Sequence, residues 1–222
     1  MPIHFPSVPA TFINIPKTGT TSLKFWALEH IKDLEITSEA SNLDWVSHMS
    51  NEELHAKWAN LGTTFAFVRN PYDRLVSVFH HLGQNAEERL NNRKAGIMTR
   101  DMISVPIESD IRILGVYRKG FEHWIKTDHS SKTDCPMIRM LQDAKKETQL
   151  QWLDYELPNI VIKIEDVNTE FHIIQKLLNC QEPFIHTNIS SHKPYKEYYT
   201  EETQKIVAEW VKEDLEAFGY EF

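Results

Sequence analysis

Lys17-Thr18-Gly19-Thr20-Thr21-Ser22 places a cation, a glycine and four hydroxyls in six consecutive positions. The run follows Phe12-Ile13-Asn14-Ile15, an apolar stretch that reads as a buried strand and stops at Pro16, and it leads into a helix-patterned segment from Ser22 to Asp33. Chemically this is an anion cradle. The first turn of a helix has N–H groups with no partner inside the helix, and its aligned peptide dipoles favour negative charge. Gly19 lets the backbone come close to a phosphate, the hydroxyls add short donors, and Lys17 supplies a mobile positive charge. A plain strand–turn–helix joint capped by threonine would also use these residue types. The run is not the ordinary GxxxxGK[ST] loop, because its lysine precedes the glycine and the first glycine is missing.

A second corner follows the same logic. Thr63-Thr64-Phe65-Ala66-Phe67-Val68 reads as a continuous buried strand, broken by Arg69-Asn70-Pro71-Tyr72-Asp73-Arg74. Pro71 suits the start of a helix with Asn70 as its cap, and Leu75, Val76, Phe79 and Leu82 mark the face of that helix. Arg69 therefore stands where a strand hands over to a helix, with Ser77 about two helical turns further on. In open α/β sheets the carboxyl edge of the strands is where ligands bind.

The remaining elements are those that must position these corners. Ser50-Asn51-Glu52-Glu53 predicts a capping box and a helix from about Asn51 to Asn60, with His48 just before the cap and His55 on the helix. The spacing predicts a helix over Ile111–Lys126, and Met137–Leu141 reads as a short helix. A third strand is predicted at Asn159–Ile164, ended by Glu165-Asp166. A helix from Glu170 to Leu178 follows, capped by Asn168 or Thr169. His186 to Tyr195, including Ser190 and Lys193, is a polar loop, and a last helix begins after Thr200 and ends near Gly219. Residues 84 to 109 are the least regular; Arg89, Arg93, Lys94 and Arg100 there read as a solvated face or as a grip on an anionic substrate. His80-His81 is read as the end of the helix after Arg69, where positive charge suits the dipole. Strands separated by helical stretches imply an α/β fold: one domain over 1–222, with a mainly parallel central sheet flanked by helices and a P-loop-like nucleotide-binding core.

Composition narrows the partners. A chain of 222 residues is long enough to bury a real core, and a net charge of -8 argues against a nucleic-acid coat or a membrane-surface binder, so any anion site is local. Cys135 and Cys180 have no metal-type spacing and make no disulfide framework, which suggests a reducing compartment. The opening MPIHFPSVPA is neither a signal peptide nor an anchor, and no apolar run approaches the ~20 residues of a membrane helix, so a cytoplasmic setting is expected.

Two anion-reading corners at two strand ends suit a ligand with two phosphate-type groups. PKTGTTS followed by FAFVRNPYDRLVS resembles the 5′-phosphosulfate loop and the 3′-phosphate motif of sulfotransferases that use 3′-phosphoadenosine 5′-phosphosulfate (PAPS). Within that family the likeness is to the carbohydrate branch that includes the uronyl 2-O-sulfotransferases. The ending resembles that branch too, from Asn188-Ile189-Ser190 through Pro194-Tyr195 to Asp214-Leu215-Glu216-Ala217-Phe218-Gly219-Tyr220-Glu221-Phe222.

The resemblance implies that Lys17, Thr18, Gly19, Thr20, Thr21 and Ser22 hold the 5′-phosphosulfate, with Lys17 also stabilising charge on the leaving oxygen. It implies that Arg69 and Ser77 hold the 3′-phosphate and that Ser190 and Lys193 belong to a loop closing over the nucleotide. His48 takes the place of the branch's general base, while the carboxylates of Asp44 and Glu52 remain alternatives. Lys163 and Glu165 match a basic-x-acid pattern and are read as structural. The implied reaction moves a sulfuryl group from PAPS to a hydroxyl of an acceptor, most plausibly a saccharide, leaving PAP and needing no metal. The rival readings are a nucleotide or small-molecule kinase and a non-catalytic nucleotide-binding module. The missing GxxxxGK[ST] and the absence of an obvious Mg²⁺-holding aspartate after a strand count against the kinase reading.

Overall fold

A computed structural model describes residues 2–36, 49–99, 102, 105–129, 143–187 and 192–222. They fall into two compact units, one within Met1–Asn70 and Gln149–Ile189, the other within Pro71–Thr148 and Ser190–Phe222.

The first unit holds the sheet, whose strands are β1 (Ile3–Phe5), β2 (Ala10–Phe12), β3 (Glu35–Ile36), β4 (Thr63–Val68) and β5 (Ile160–Lys163), in the order β3-β1-β2-β4-β5. β4 lies where the continuous apolar run predicted it. The sheet is mixed, not mainly parallel: β2–β4 and β4–β5 pair in parallel, whereas β1 pairs antiparallel with both β2 and β3. The physical reason is the opening segment. Two three-residue strands, joined through Pro6 to Pro9, make a hairpin that brings in antiparallel pairing. β2 itself stops at Phe12, and one further bond, Ile13 N–H to Phe65 O at 2.8 Å, carries the pairing with β4 a step on.

Helix α1 (Thr20–His30) follows β2, and α2 (Asn51–Lys57) precedes β4. The capping box of α2 forms as expected: Glu53 N–H donates to Ser50 Oγ at 3.2 Å, and Ser50 N–H donates to the Glu53 carboxylate at 2.8 Å. The Glu170–Leu178 expectation resolves into a 3₁₀ turn (Ile164–Asp166) and two short helices, which we number after α6 (Gln149–Trp152) as α7 (Val167–Glu170) and α8 (His172–Leu177). Neither Asn168 nor Thr169 caps them; Thr169 Oγ1 instead donates back to Asp166 O at 2.8 Å. The core lies on one face of the sheet, where Phe5, Phe12, Phe65 and Phe67 meet Leu23, Trp26 and Ala27 of α1 and Val167, Phe171, Ile174 and Leu178. Phe12 sits 5.3 Å from Phe65 and 5.5 Å from Phe67, ring centre to ring centre. Alternation along β4 turns Phe65 and Phe67 to this face, which fixes the register that sets Arg69 at the strand's tip.

The second unit is helical among the described residues: α3 (Pro71–Lys94), α4 (Ile107–Lys119), α5 (Phe121–Lys126), a 3₁₀ turn at Tyr195–Tyr198, α9 (Glu201–Trp210) and α10 (Lys212–Phe218). α3 starts at Pro71 as expected but runs to Lys94, well past Leu82. The predicted 111–126 helix is two helices, divided at Gly120 with its φ of +95°. The 137–141 segment lies outside the described residues. Thr200 caps α9, and α10 ends at Gly219 in the left-handed conformation. No helix among the described residues is long and apolar enough to cross a membrane.

Candidate functional site

The loop after β2 is built from the inside out. Ile15 O accepts from Thr18 Oγ1 at 2.9 Å and from Thr20 Oγ1 at 3.2 Å, so both hydroxyl protons point inward and tie the turn to the strand. Thr18 is fully buried. What these bonds leave for a ligand is main chain: Lys17 (φ +69°) and Gly19 (φ +93°) are both left-handed and flank Thr18, a backbone shape that turns successive N–H groups toward one side. Lysine adopts this conformation at a cost of about 1 kcal/mol, and such outliers cluster at ligand clamps. Gly19 is the N-cap of α1 and makes no side-chain cap bond, and no acidic residue stands in the helix's first turn, so the positive end of the dipole is unquenched by the helix's own side chains. Thr21 is half-buried beside it. Ser22 is buried and its Oγ accepts from Thr187 N–H at 3.2 Å and from Thr187 Oγ1 at 3.4 Å.

The tip of β4 is fastened by three bonds from two side chains. Arg69 N–H donates to Gln149 Oε1 at 2.8 Å, Gln149 Nε2 donates back to Arg69 O at 2.9 Å, and Asn70 N–H donates to Glu165 Oε1 at 2.7 Å. The guanidinium reaches across to the first loop, where Nη1 donates to Lys17 O at 3.3 Å. The two residues expected to read two anionic groups thus follow neighbouring parallel strands, and the Arg69 guanidinium contacts the Lys17 main chain. Glu165, expected to be structural, holds backbone at this corner. Gln149 carries no sequence signal that marks it; it acts as a one-residue extension of the strand pairing.

A further side chain missed by the sequence reading is His186. Burial and the Arg69 charge hold its imidazole below the ordinary histidine range. Among the described residues no group of three or more His, Cys, Asp or Glu side chains is placed to hold a metal ion.

The other residues predicted to bind the nucleotide, and the predicted base, fall either in the second unit or outside the described residues. Ser77 is buried on α3 and Lys193 is exposed, its ammonium 3.5 Å from the Glu197 carboxylate; both belong to the second unit. His48, Asp44 and Ser190 lie outside the described residues. His80 does not end a helix: it lies within α3, between the hydroxyls of Tyr117 (2.9 Å) and Tyr198 (3.0 Å), and burial and the nearby His192 lower its pKa. The basic cluster is not a solvated face throughout. Arg89 is buried and donates through Nε and Nη2 to Asp110 Oδ1 at 2.9 and 2.7 Å, and Arg93 Nη2 donates to the carbonyls of Met102 and Val105 at 3.3 and 2.5 Å. These contacts bind α3 to α4 and the segment before it.

A protein-family model described as the sulfotransferase family matches residues 10–221. The chain belongs to the sulfotransferase family. No curated protein and no solved structure matches it. The match runs through both corners, from the strand before the Lys17 loop to the last residues of the chain. Sulfuryl transfer to a hydroxyl-bearing acceptor is accordingly the general chemistry of this sulfotransferase.

Proposed function

We propose that this sulfotransferase takes its sulfuryl group from PAPS and passes it to a saccharide hydroxyl, with residues 1–222 working as one domain of the carbohydrate, uronyl 2-O-like branch. The observation that carries the reading is the Arg69 to Lys17 contact at 3.3 Å, which brings the two anion-reading corners to adjacent strand tips. The strand–turn–helix joint acts as a P-loop-like cradle in which the Lys17–Ser22 main chain and the N-terminus of α1 receive the 5′-phosphosulfate. Thr18 and Thr20 shape that cradle through Ile15 O. Thr21 and Ser22 complete its first helical turn. Arg69 offers a planar fork to the 3′-phosphate. Ser77 as its hydroxyl partner, and Ser190 and Lys193 as a covering loop, rest on the sequence pattern.

In the transfer, the acceptor oxygen bonds to sulfur as the bond from sulfur to the 5′-phosphate oxygen breaks, and the electron pair of that bond leaves on PAP. Lys17 stabilises the charge gathering on the leaving oxygen. The acceptor proton passes to His48, whose ordinary pKa lies close to working pH. The helix dipole and Lys17 supply the positive field, so the step is written without a metal.

Titration calorimetry tests the donor. Adenosine 3′,5′-bisphosphate should bind tightly and with the same affinity with or without Mg²⁺, and a preference for ATP with Mg²⁺ would overturn the reading in favour of a kinase. With labelled PAPS, His48→Ala should lose turnover while keeping its affinity for the bisphosphate. Normal turnover in that variant moves the base to Glu52 or Asp44, and bisphosphate binding with no transfer to any saccharide would make the chain a binding module.

A further inference from the structure

Residues 181–187 form a strap fastened at its start, middle and end. At the start, Gln175 Nε2 on α8 donates to the carbonyls of Gln181 and Glu182, both at 2.9 Å, and Trp26 Nε1 on α1 donates to Glu182 O at 3.1 Å. In the middle, the Phe184 ring packs 5.8 Å from Phe67 and 4.8 Å from Phe171, so the strap rests on the last turn of β4 before Arg69. At the end, Thr187 is bonded through N–H and hydroxyl to Ser22 in the first turn of α1. His186 is held between those last two fastenings, its ring edge-on to Phe184 at 5.1 Å. It is half-buried, and among the described residues neither ring nitrogen has a hydrogen-bond partner. A strap stapled this firmly presents, beside the anion loop and Arg69, an imidazole with neither nitrogen bonded to a described residue.

We propose that His186 is a nucleotide ligand: its imidazole binds the 3′-phosphate beside Arg69, and does so in the protonated form. The proposal rests on the PAPS reading above and adds to it a residue that the motifs do not contain. Burial and the Arg69 charge disfavour the charged form of the ring in the nucleotide-free protein. A dianionic phosphate seated against Arg69 reverses the local sign, since an opposite charge within hydrogen-bond reach favours the charged form. Arg69 is the charged side chain that acts on the ring; Lys17 of the loop, Lys24 of α1, Lys163 and Glu165 at the end of β5 and Glu182 of the strap are further ionisable groups on the elements around it. The sign follows from linkage. A group whose pKa rises on binding takes up a proton, contributes affinity fully at low pH, and loses that contribution as pH rises through the bound-state value.

The test is titration calorimetry of adenosine 3′,5′-bisphosphate at pH 6 and pH 8, each in two buffers of different ionisation enthalpy, for wild type and His186→Gln. Nucleotide phosphates themselves titrate near pH ~6, so the readout is the difference between the two proteins. Wild type should take up more protons than the variant, and between pH 6 and pH 8 its affinity should fall by about tenfold more, the equivalent of one unit of pKa. Adenosine 5′-monophosphate, without the 3′-phosphate, should erase that difference. Equal proton uptake and equal pH dependence in wild type and His186→Gln, with the bisphosphate bound tightly by both, would sink the proposal and leave the PAPS reading standing. No bisphosphate binding by wild type would sink the PAPS reading itself.

Discussion

Gly19 shows how closely the candidate site depends on single residues. Its φ of +93° lies in the left-handed region, and a Cβ there would sit 2.5 Å from Ile164 Cδ1 and 3.2 Å from Ile164 Cγ1. Gly19→Ala therefore carries two separable penalties, a backbone one of about 1–2 kcal/mol and a steric one. Ile164→Val removes the Cδ1 atom without changing φ. We expect Gly19→Ala to lower the denaturation midpoint and weaken bisphosphate binding, and Gly19→Ala with Ile164→Val to recover part of the stability but not the whole. Full recovery in chemical denaturation would show that the left-handed conformation costs nothing here. At this scale the sequence was legible where chemistry depends on residue type: a lysine ahead of a glycine, and an arginine at the end of a buried run. It was not legible where function depends on direction. Thr18 and Thr20 read as ligand donors because they are hydroxyls, yet their protons go to Ile15 O. His186 read as part of a polar loop because nothing local announces that Ser22, far away in the chain, holds its neighbour.

Elements were legible where their hydrophobic period or cap was self-contained, as in β4 and α2. The exceptions have physical causes. β1 and β2 are three residues long and bounded by prolines, too short for alternation to register. The far half of α3 is polar, and its buried face is built around a charge: Arg89, 3 % exposed, against Asp110, fully buried. An apolar-periodicity reading has no means of finding that pairing. Upstream on the same helix, Gly83 lets the Tyr117 ring approach so closely that a Cβ would fall 2.1 Å from it, so α3 and α4 are matched in both shape and charge. Asp110→Ala should destabilise the protein by about 3–5 kcal/mol, because it takes the carboxylate away from a buried guanidinium. Arg89→Met combined with Asp110→Leu should restore most of that loss, since an apolar pair escapes the desolvation cost. Urea unfolding of the two variants decides it; a double variant as unstable as Asp110→Ala would mean the pair is needed for more than its own neutralisation.

For the whole molecule, a net charge of -8 means that the donor proposed above would have to be attracted locally, and one family match over residues 10–221 joins segments that the chain distributes between two compact units. Neither the interleaving of those units nor the groups buried within them could be read from composition. Among these groups, His129 is expected to contribute to the acid limit of stability. It is 5 % exposed, its ring lies 6.1 Å from that of His123, and its carbonyl accepts from Arg112 Nη2 at 3.1 Å. Burial first, and then the positive charge of Lys145, push its pKa down from 6.5 to about 4, with His123 and Arg112 acting in the same direction against a bond to the Trp124 main chain. Between those two values the unfolded chain binds a proton that the folded chain refuses, so stability rises with pH across the window and is lost as pH falls through it. At neutral pH both states are unprotonated and the group is silent. His129→Gln removes the titration while keeping a polar side chain. In thermal or urea unfolding, the stability of wild type relative to this variant should be flat above pH 7 and should decline by up to about 3 kcal/mol as pH approaches 4. A difference that stays constant over the whole range would show that the His129 ring titrates alike in the folded and unfolded chains, and that the acid limit is set by the carboxylates alone.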